Sequence, residues 1–225
     1  MPLSYEGQIS RSWETNAKAW TREVRQNNIE SRKLVTNQTI IDAVLSCHPS
    51  TVLDLGCGEG WLTRALIDRK IDTFGIDASP QLIDCANHAP NGRYAVISYE
   101  ELFKKEQSDQ FDTVVCNFSL LGQESVELVF RNIKKILKTN GAFIIQTIHP
   151  VVGCGSERYA DGWRAGSWDG FSSALTDPAP WYFRTLESWF TLFSSNQLKL
   201  VDLQEPLNPI TNMPASVVFI ARVAH

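Results

Sequence analysis

Apolar and polar positions change their period near residue 50. Before it the spacing is helical. Trp13, Ala17 and Trp20 recur at intervals of four and three, and Leu34, Ile40, Ile41, Val44 and Leu45 supply a second apolar face. This pattern predicts helix over about residues 10–46, closed by Pro49, which cannot continue one. From Thr51 short apolar runs take over, at 51–55, 73–76, 94–97, 111–117 and 142–148. Helix-like stretches lie between them, at 61–69, 80–89 and 125–137. Strands alternating with helices predict βαβ units, right-handed crossovers and a mostly parallel sheet with helices on both faces. The near-continuous apolar run Thr113-Val114-Val115 fits a strand buried on both sides.

After His149-Pro150 the alternation stops. Residues 151–183 are rich in glycine and proline, which predicts a long irregular excursion. Its aromatic residues, among them Tyr159, Trp163, Trp168, Phe171, Trp181 and Tyr182, argue against disorder and for a lid. A helix over 186–195 and strands over 198–203 and 216–223 complete the pattern. The expected organisation is one domain: an N-terminal helical cap (1–49), a cofactor-binding core (50–148), an acceptor-side lid (149–183) and a C-terminal helix with two strands (184–225).

Composition narrows the class. A chain of 225 residues with 43% hydrophobic content suits a single α/β domain with a sizeable core. Its net charge of −4 lacks the basic balance of a protein that neutralises phosphates, so no nucleic-acid partner is expected. Lys104-Lys105 and Lys134-Lys135 read as solvated surface, as do Arg11, Arg22 and Arg32. The N-terminus has no secretory pattern and no run approaches a membrane span, so the expected location is cytoplasmic, with no membrane partner. Cys47, Cys57, Cys85, Cys116 and Cys154 are odd in number and scattered, which favours a reducing compartment and neither a disulfide framework nor a zinc site.

The chemistry concentrates at Val52-Leu53-Asp54-Leu55-Gly56-Cys57-Gly58-Glu59-Gly60-Trp61, where a strand runs into a glycine-rich turn that opens a helix. Glycines permit positive φ and close approach of a ligand. Asp77 ends the next strand, 21 residues after Gly56, where a carboxylate accepts both ribose hydroxyls of a nucleoside. The plain alternative is a βαβ turn with an exposed aspartate. A dinucleotide fingerprint reads G-x-G-x-x-G and holds a pyrophosphate at the helix N-terminus. This chain has G-x-G-x-G with Asp54 two residues upstream, and about fifty residues precede the first strand. A carboxylate there repels a pyrophosphate and suits a cationic sulfonium or ammonium. These features favour S-adenosyl-L-methionine over a nicotinamide.

Asp54 to Gly60, Asp77-Ala78-Ser79, the run Phe111–Leu121 and the turn and strand Ile136–Ile145 together resemble the motifs of class I S-adenosylmethionine-dependent methyltransferases of the small-molecule type. The resemblance covers about residues 50–148 well. It implies a Rossmann-like three-layer sandwich with seven strands ordered 3-2-1-4-5-7-6, the last antiparallel. It implies S-adenosyl-L-methionine as cofactor, S-adenosyl-L-homocysteine as product, and no metal. Gly56 and Gly58 would bring backbone close to the methionine portion, and Asp54 would lie near the ammonium. Asp77 would hold the ribose hydroxyls, and Ala78 would pack on the adenine. Asn117 would offer its carbonyl to the ammonium, with Phe118 and Leu120 beside it. Ile97-Ser98-Tyr99-Glu100 stands where the family often has an aspartate near the adenine amino group, so Ser98 or Tyr99 substitutes. Lys138-Thr139-Asn140-Gly141 and Asn196-Gln197 also depart from the usual turns.

Methyl transfer is an in-line displacement that needs alignment and exclusion of water, plus a base only where the acceptor arrives protonated. His149, ending the fifth strand, is the candidate base; the alternative is a histidine that hydrogen-bonds the Pro150 turn. Tyr159, Trp163, Trp168, Trp181 and Tyr182 either wall the pocket of a small-molecule acceptor or anchor a long loop. His48, His88 and His225 read as incidental. No Asn/Asp-Pro-Pro-aromatic stretch and no Pro-Cys nucleophile appears, which disfavours the DNA-modifying branches. Two other functions stay open: a nicotinamide-dependent oxidoreductase, and a non-catalytic cofactor-binding protein of the same fold.

Overall fold

The computed structural model describes residues 3–104 and 110–224, so Lys105 and His225 lie outside the described residues. In chain order the elements are α1 (Tyr5–Arg25), a π-helical turn (Arg32–Thr36), α2 (Asn37–Ser46), β1 (Thr51–Leu55), α3 (Trp61–Ile67), β2 (Asp72–Asp77), α4 (Pro80–Asn87), β3 (Arg93–Val96), α5 (Tyr99–Lys104), β4 (Phe111–Asn117), α6 (Glu124–Asn132), a 3₁₀ turn (Ile133–Lys135), β5 (Leu137–Thr147), α7 (Pro150–Gly153), β6 (Gly162–Arg164), β7 (Trp181–Phe183), α8 (Leu186–Ser195), β8 (Leu198–Gln204) and β9 (Val217–Val223). The seven-stranded sheet runs β3-β2-β1-β4-β5-β9-β8. β1 to β5 are parallel, and β9 runs antiparallel to both β5 and β8. Setting aside the separate β6–β7 hairpin, this is the expected 3-2-1-4-5-7-6 order.

Alternation along each strand divides the core. Leu53, Leu55, Val114, Cys116, Phe143, Ile145 and Phe219 meet Val129 and Phe130 of α6 and Trp189 and Phe193 of α8. Val52, Val115, Ile144 and Val218 meet Ile40, Ile41 and Val44 of α2 and Leu62 and Leu66 of α3 on the other face. Full burial of each such side chain contributes about 1.5–3 kcal/mol. Asp54 falls on this second face, between two residues of the first, so the pleat carries a carboxylate into an otherwise apolar row.

Two local expectations differ from the structure. The N-terminal helix is not continuous: α1 ends at Arg25, Asn27 takes a left-handed conformation (φ 55°), and the chain re-enters helix through the π turn. Asparagine tolerates that conformation better than other side chains, and such residues stop helices. The excursion is not wholly irregular either, because Gly162–Arg164 pairs with Trp181–Phe183.

α1 lies across the carboxyl edge of the sheet, held there mostly by polar contacts. Glu6 accepts from the backbone N–H groups of Gln123 (2.8 Å) and Glu124 (3.0 Å), capping α6. Glu14 accepts from the Ser79 hydroxyl at 2.5 Å, beyond the end of β2. Arg25 reaches Glu59 (2.7 Å) and the Cys85 carbonyl (2.7 Å). On the outer side, buried Asn16 exchanges two hydrogen bonds with the Thr176 backbone (2.6 and 2.8 Å), and Ser12 donates to the Asp177 carbonyl. Trp13 and Trp20 pack with Trp168 and Phe171 of the same loop. Removing the Asn16 carboxamide takes away both of its bonds to Thr176 and leaves the Thr176 carbonyl with the Trp168 indole N–H alone, at a cost of about 1–3 kcal/mol. Asn16→Ala is therefore expected to lower the melting temperature and to speed proteolytic cleavage within 165–178; unchanged cleavage there would show the loop is held by the aromatic contacts alone.

Candidate active site

The turn after β1 is built from inward-facing amides. Gly56 and Cys57 both donate N–H to the Ile76 carbonyl (2.8 and 2.9 Å), Gly58 donates to Asp77 Oδ2 (2.9 Å), and Gly60 donates to the Cys57 carbonyl (3.0 Å). Gly56 has φ 80°, and a Cβ there would collide with Ser119. Gly58 has φ 57° with nothing within 4 Å of a notional Cβ, so its backbone borders open space. Ser119 locks the turn to β4 by donating to the Leu55 carbonyl at 2.7 Å. Tyr99 donates from its hydroxyl to the Ser119 carbonyl at 3.2 Å, its ring buried enough to push the phenol well above its ordinary value.

Two carboxylates border this turn, Asp54 on the strand before it and Asp77 at the end of β2. Asp77 accepts from Gly58 N–H on one oxygen and from Ser79 N–H on the other, both at 2.9 Å. Each oxygen keeps a lone pair for a further donor. Burial raises the Asp77 carboxyl, and those backbone N–H groups oppose the rise. Asp54 is 1% exposed and accepts from the Thr63 hydroxyl at 2.7 Å. Burial, first of all, pushes its carboxyl up to about 7; hydrogen bonds from Thr63 lower it, Asp77 raises it further, and Arg64 lowers it.

Several residues of this region carry no local sequence signal. Glu59, 1% exposed, is gripped by Arg25 at 2.7 Å and Arg64 at 2.8 Å, joining α1 and α3 to the glycine turn. Tyr94 of β3 donates to the Gly60 carbonyl at 3.2 Å. Arg184, buried between Tyr182 and Trp189, donates to the Gly122 and Gln123 carbonyls and anchors the β7 end to the turn after β4. Arg32, expected to be solvated, stacks on Trp61 (4.7 Å) and Trp20 (5.8 Å), and burial lowers its guanidinium to about 10.

Gly56, Gly58, Asp54, Asp77 and exposed Ala78 gather at the carboxyl ends of β1 and β2. Asn117 and Phe118 join them at the end of β4, where Phe118 takes φ 54°, a strained conformation for a bulky residue. Leu120 is 3% exposed and belongs to the core cluster that includes Val126 and Val129 of α6. Ser98 is engaged as a cap, accepting from Glu101 N–H at 3.2 Å.

On the opposite rim, His149 Nδ1 accepts from Val151 N–H at 3.2 Å and its Nε2 meets Glu205 at 2.6 Å, with the ring 2% exposed. The five aromatic residues separate into groups. Trp163 stacks on Tyr5 (4.5 Å between centroids) and meets Tyr182 edge-on. Tyr159 and Trp181 pack on Phe183, whereas Trp168 belongs to the α1 cluster. A cleft of about 410 Å³ opens between α1 and the hairpin, lined by Tyr5, Gln8, Trp163, Arg164, Pro178 and Pro180. Among the described residues no His, Cys, Asp and Glu group is arranged to hold a metal, and no helix is long and apolar enough to cross a membrane.

Residues 53–145 match the family described as methyltransferase domain. An uncharacterized methyltransferase of Schizosaccharomyces pombe is 29% identical over 133 residues, covering 56% of this chain and 50% of that protein. A malonyl-[acyl-carrier protein] O-methyltransferase of Legionella pneumophila is 26% identical over 153 residues, covering 66% and 52%. The chain thus spans about half the length of these relatives. The structure superimposes on a 1,6-didemethyltoxoflavin-N1-methyltransferase of Burkholderia thailandensis, crystallised with 1,6-didemethyltoxoflavin and S-adenosylhomocysteine, with a TM-score of 0.69 at 18% identity, covering 100% of this chain and 93% of that one. By the matched segment, residues 53–145 are a methyltransferase domain, in a sheet ordered as the resemblance to class I S-adenosylmethionine-dependent methyltransferases implies.

Proposed function

We propose that the chain binds S-adenosyl-L-methionine over the carboxyl ends of β1, β2 and β4 and transfers its methyl group to a small-molecule acceptor held beneath α1 and the β6–β7 hairpin. The observation that carries this reading is the direction of the turn amides. With the N–H groups of Gly56, Cys57, Gly58 and Gly60 all engaged inside the protein, the turn has few donors left for a pyrophosphate, and a buried carboxylate lies beneath it. A nicotinamide dinucleotide needs the reverse arrangement. A nucleoside carrying a cation fits: the spare lone pairs of Asp77 suit two ribose hydroxyls, the open space at Gly58 admits the amino-acid portion, and ionised Asp54 favours positive charge.

When bound, the cofactor supplies a methyl group on a positively charged sulfur. Asp77 would fix the ribose, Asp54 and the backbone carbonyl of Asn117 would fix the charged end, and α1 would keep water from the reacting atoms. The 410 Å³ cleft has the size of a small-molecule site, with the Tyr5–Trp163 stack as an apolar wall. No protein base is assigned, since His149 is tied to Glu205 and an unprotonated acceptor needs none.

Calorimetric titration tests the cofactor. S-adenosyl-L-methionine and S-adenosyl-L-homocysteine are expected to bind and NAD not to, and Asp77→Ala to weaken both adenosyl compounds by about ten- to a hundredfold, the loss of two hydrogen bonds to a charged group. Binding of NAD alone would overturn the proposal.

The raised Asp54 carboxyl sets a pH dependence. A cationic ligand favours the ionised form and so lowers this pKa in the complex. Between that lowered value and about 7, binding releases a proton. Affinity for S-adenosyl-L-methionine is expected to be full above pH 7 and to fall as pH drops below it, by at most about tenfold per unit. Titration at pH 6.5 in buffers of differing ionisation enthalpy reads the released proton, and Asp54→Asn is expected to abolish it. A flat affinity from pH 6 to 8 in the unaltered protein would remove Asp54 from cation recognition.

A further inference from the structure

Five buried side-chain polar atoms lack a hydrogen-bond partner among the described residues, and two of them adjoin. They are Asn117 Oδ1, at the last residue of β4, and Gln146 Oε1, at its register partner on β5. Register partners in parallel strands project from the same face of the sheet. That face carries Val115 and Ile144 below them and, one strand over, Asp54, which is in register with Val115. The two oxygens therefore stand just above the apolar layer, at the carboxyl edge where α/β sheets open their crevice.

Their placement is enforced. The strained turn at Phe118 is held by its N–H to the Gln146 carbonyl at 2.8 Å, which fixes the end of β4 against β5. Gln146, 1% exposed, donates Nε2 to Ser216 Oγ at 2.9 Å, on the β9 side. That tether orients the carboxamide and leaves its oxygen without a donor. A buried acceptor left unpaired costs free energy, and two side by side, both acceptors, call for one ligand group with two donors. Asp54 adds a third acceptor to the same row.

Resting on the methyltransferase reading, we propose that Asn117 Oδ1 and Gln146 Oε1 recognise the N–H groups of the methyl acceptor, so that the acceptor class is an amine or amino-substituted heteroaromatic and the transfer is to nitrogen. An amino group whose two protons are held by these oxygens presents its lone pair out of the plane they define. The C–N bond forms as the C–S bond of S-adenosyl-L-methionine breaks, sulfur keeps the electron pair, and one N–H proton leaves the methylated ammonium for water. An N–H donor also occurs in the cofactor's own ammonium, and the test separates the two sources.

The probes are 3-aminoquinoline, 3-methylquinoline and 3-methoxyquinoline, matched in shape, titrated into protein saturated with S-adenosyl-L-homocysteine. The amine is expected to bind at least about tenfold tighter than either of the others, the scale of one or two hydrogen bonds to otherwise unpaired groups. Gln146→Met, which keeps length and removes the acceptor, is expected to reduce that preference below about threefold, and Gln146→Glu, which keeps an acceptor, to preserve it. Equal binding of the three probes, binding of none, or a preference that survives Gln146→Met overturns the proposal. So does a Gln146→Met variant that weakens S-adenosyl-L-homocysteine by about tenfold more than 5′-methylthioadenosine, which lacks the ammonium, because the oxygen then serves the cofactor. Loss of S-adenosyl-L-homocysteine binding by the unaltered protein defeats the methyltransferase reading itself, whereas its normal binding without an amine preference defeats only this inference.

Discussion

The carboxylate of Asp77 holds the crevice in shape. One oxygen takes the Gly58 N–H from the turn after β1, and the other takes the Ser79 N–H from the turn after β2. Two loops that approach the crevice from neighbouring strands are thereby fixed to a single planar group. The same inward pull that lets Asp77 organise the turns removes their amides from any ligand. The glycine turn is then a wall that shapes space, and the charge of the site is set by carboxylates beneath it.

Around this point the chain uses charge to join elements that its apolar core does not reach. Glu59 ties α1 and α3 to the turn through two arginines, Glu6 ties α1 to the N-terminus of α6, and Arg184 ties the hairpin to the loop after β4. Each is a buried or half-buried charge with at least one partner from a distant part of the chain. Removing one partner of such a group leaves the other uncompensated, and that loss exceeds the net worth of the pair. The periphery of the crevice is therefore specified by a few long-range polar contacts, whereas the sheet below it is specified by many interchangeable apolar ones.

That division explains what was legible in the sequence. The strands that pack between two helical layers read directly as apolar runs, and the glycine turn after β1 read directly as a strand–turn–helix junction, because both patterns are local. The short β6–β7 pairing was not legible: three-residue strands separated by a long glycine- and proline-rich stretch have no period to detect. Nor were the partners of Glu59, Glu6 or Gln146, since a charged or amide residue shows its type in the sequence but not what it faces. His149 illustrates the same limit. Its position at the end of β5 is visible in the sequence, and its contact with Glu205, 56 residues away, is not. Arg32 reads as solvated by type, yet the π turn carries it between Trp20 and Trp61.

The make-up of α1 has a thermal consequence. Its buried residues are Ser12, Asn16, Ala17, Thr21, Glu23 and Val24, a set with little hydrocarbon. Beside that polar strip, Tyr5, Trp13 and Trp20 cover aromatic rings of the loop and hairpin, so separating α1 from them exposes apolar surface and raises heat capacity. The hold of α1 on the loop therefore weakens on cooling, as apolar contacts do.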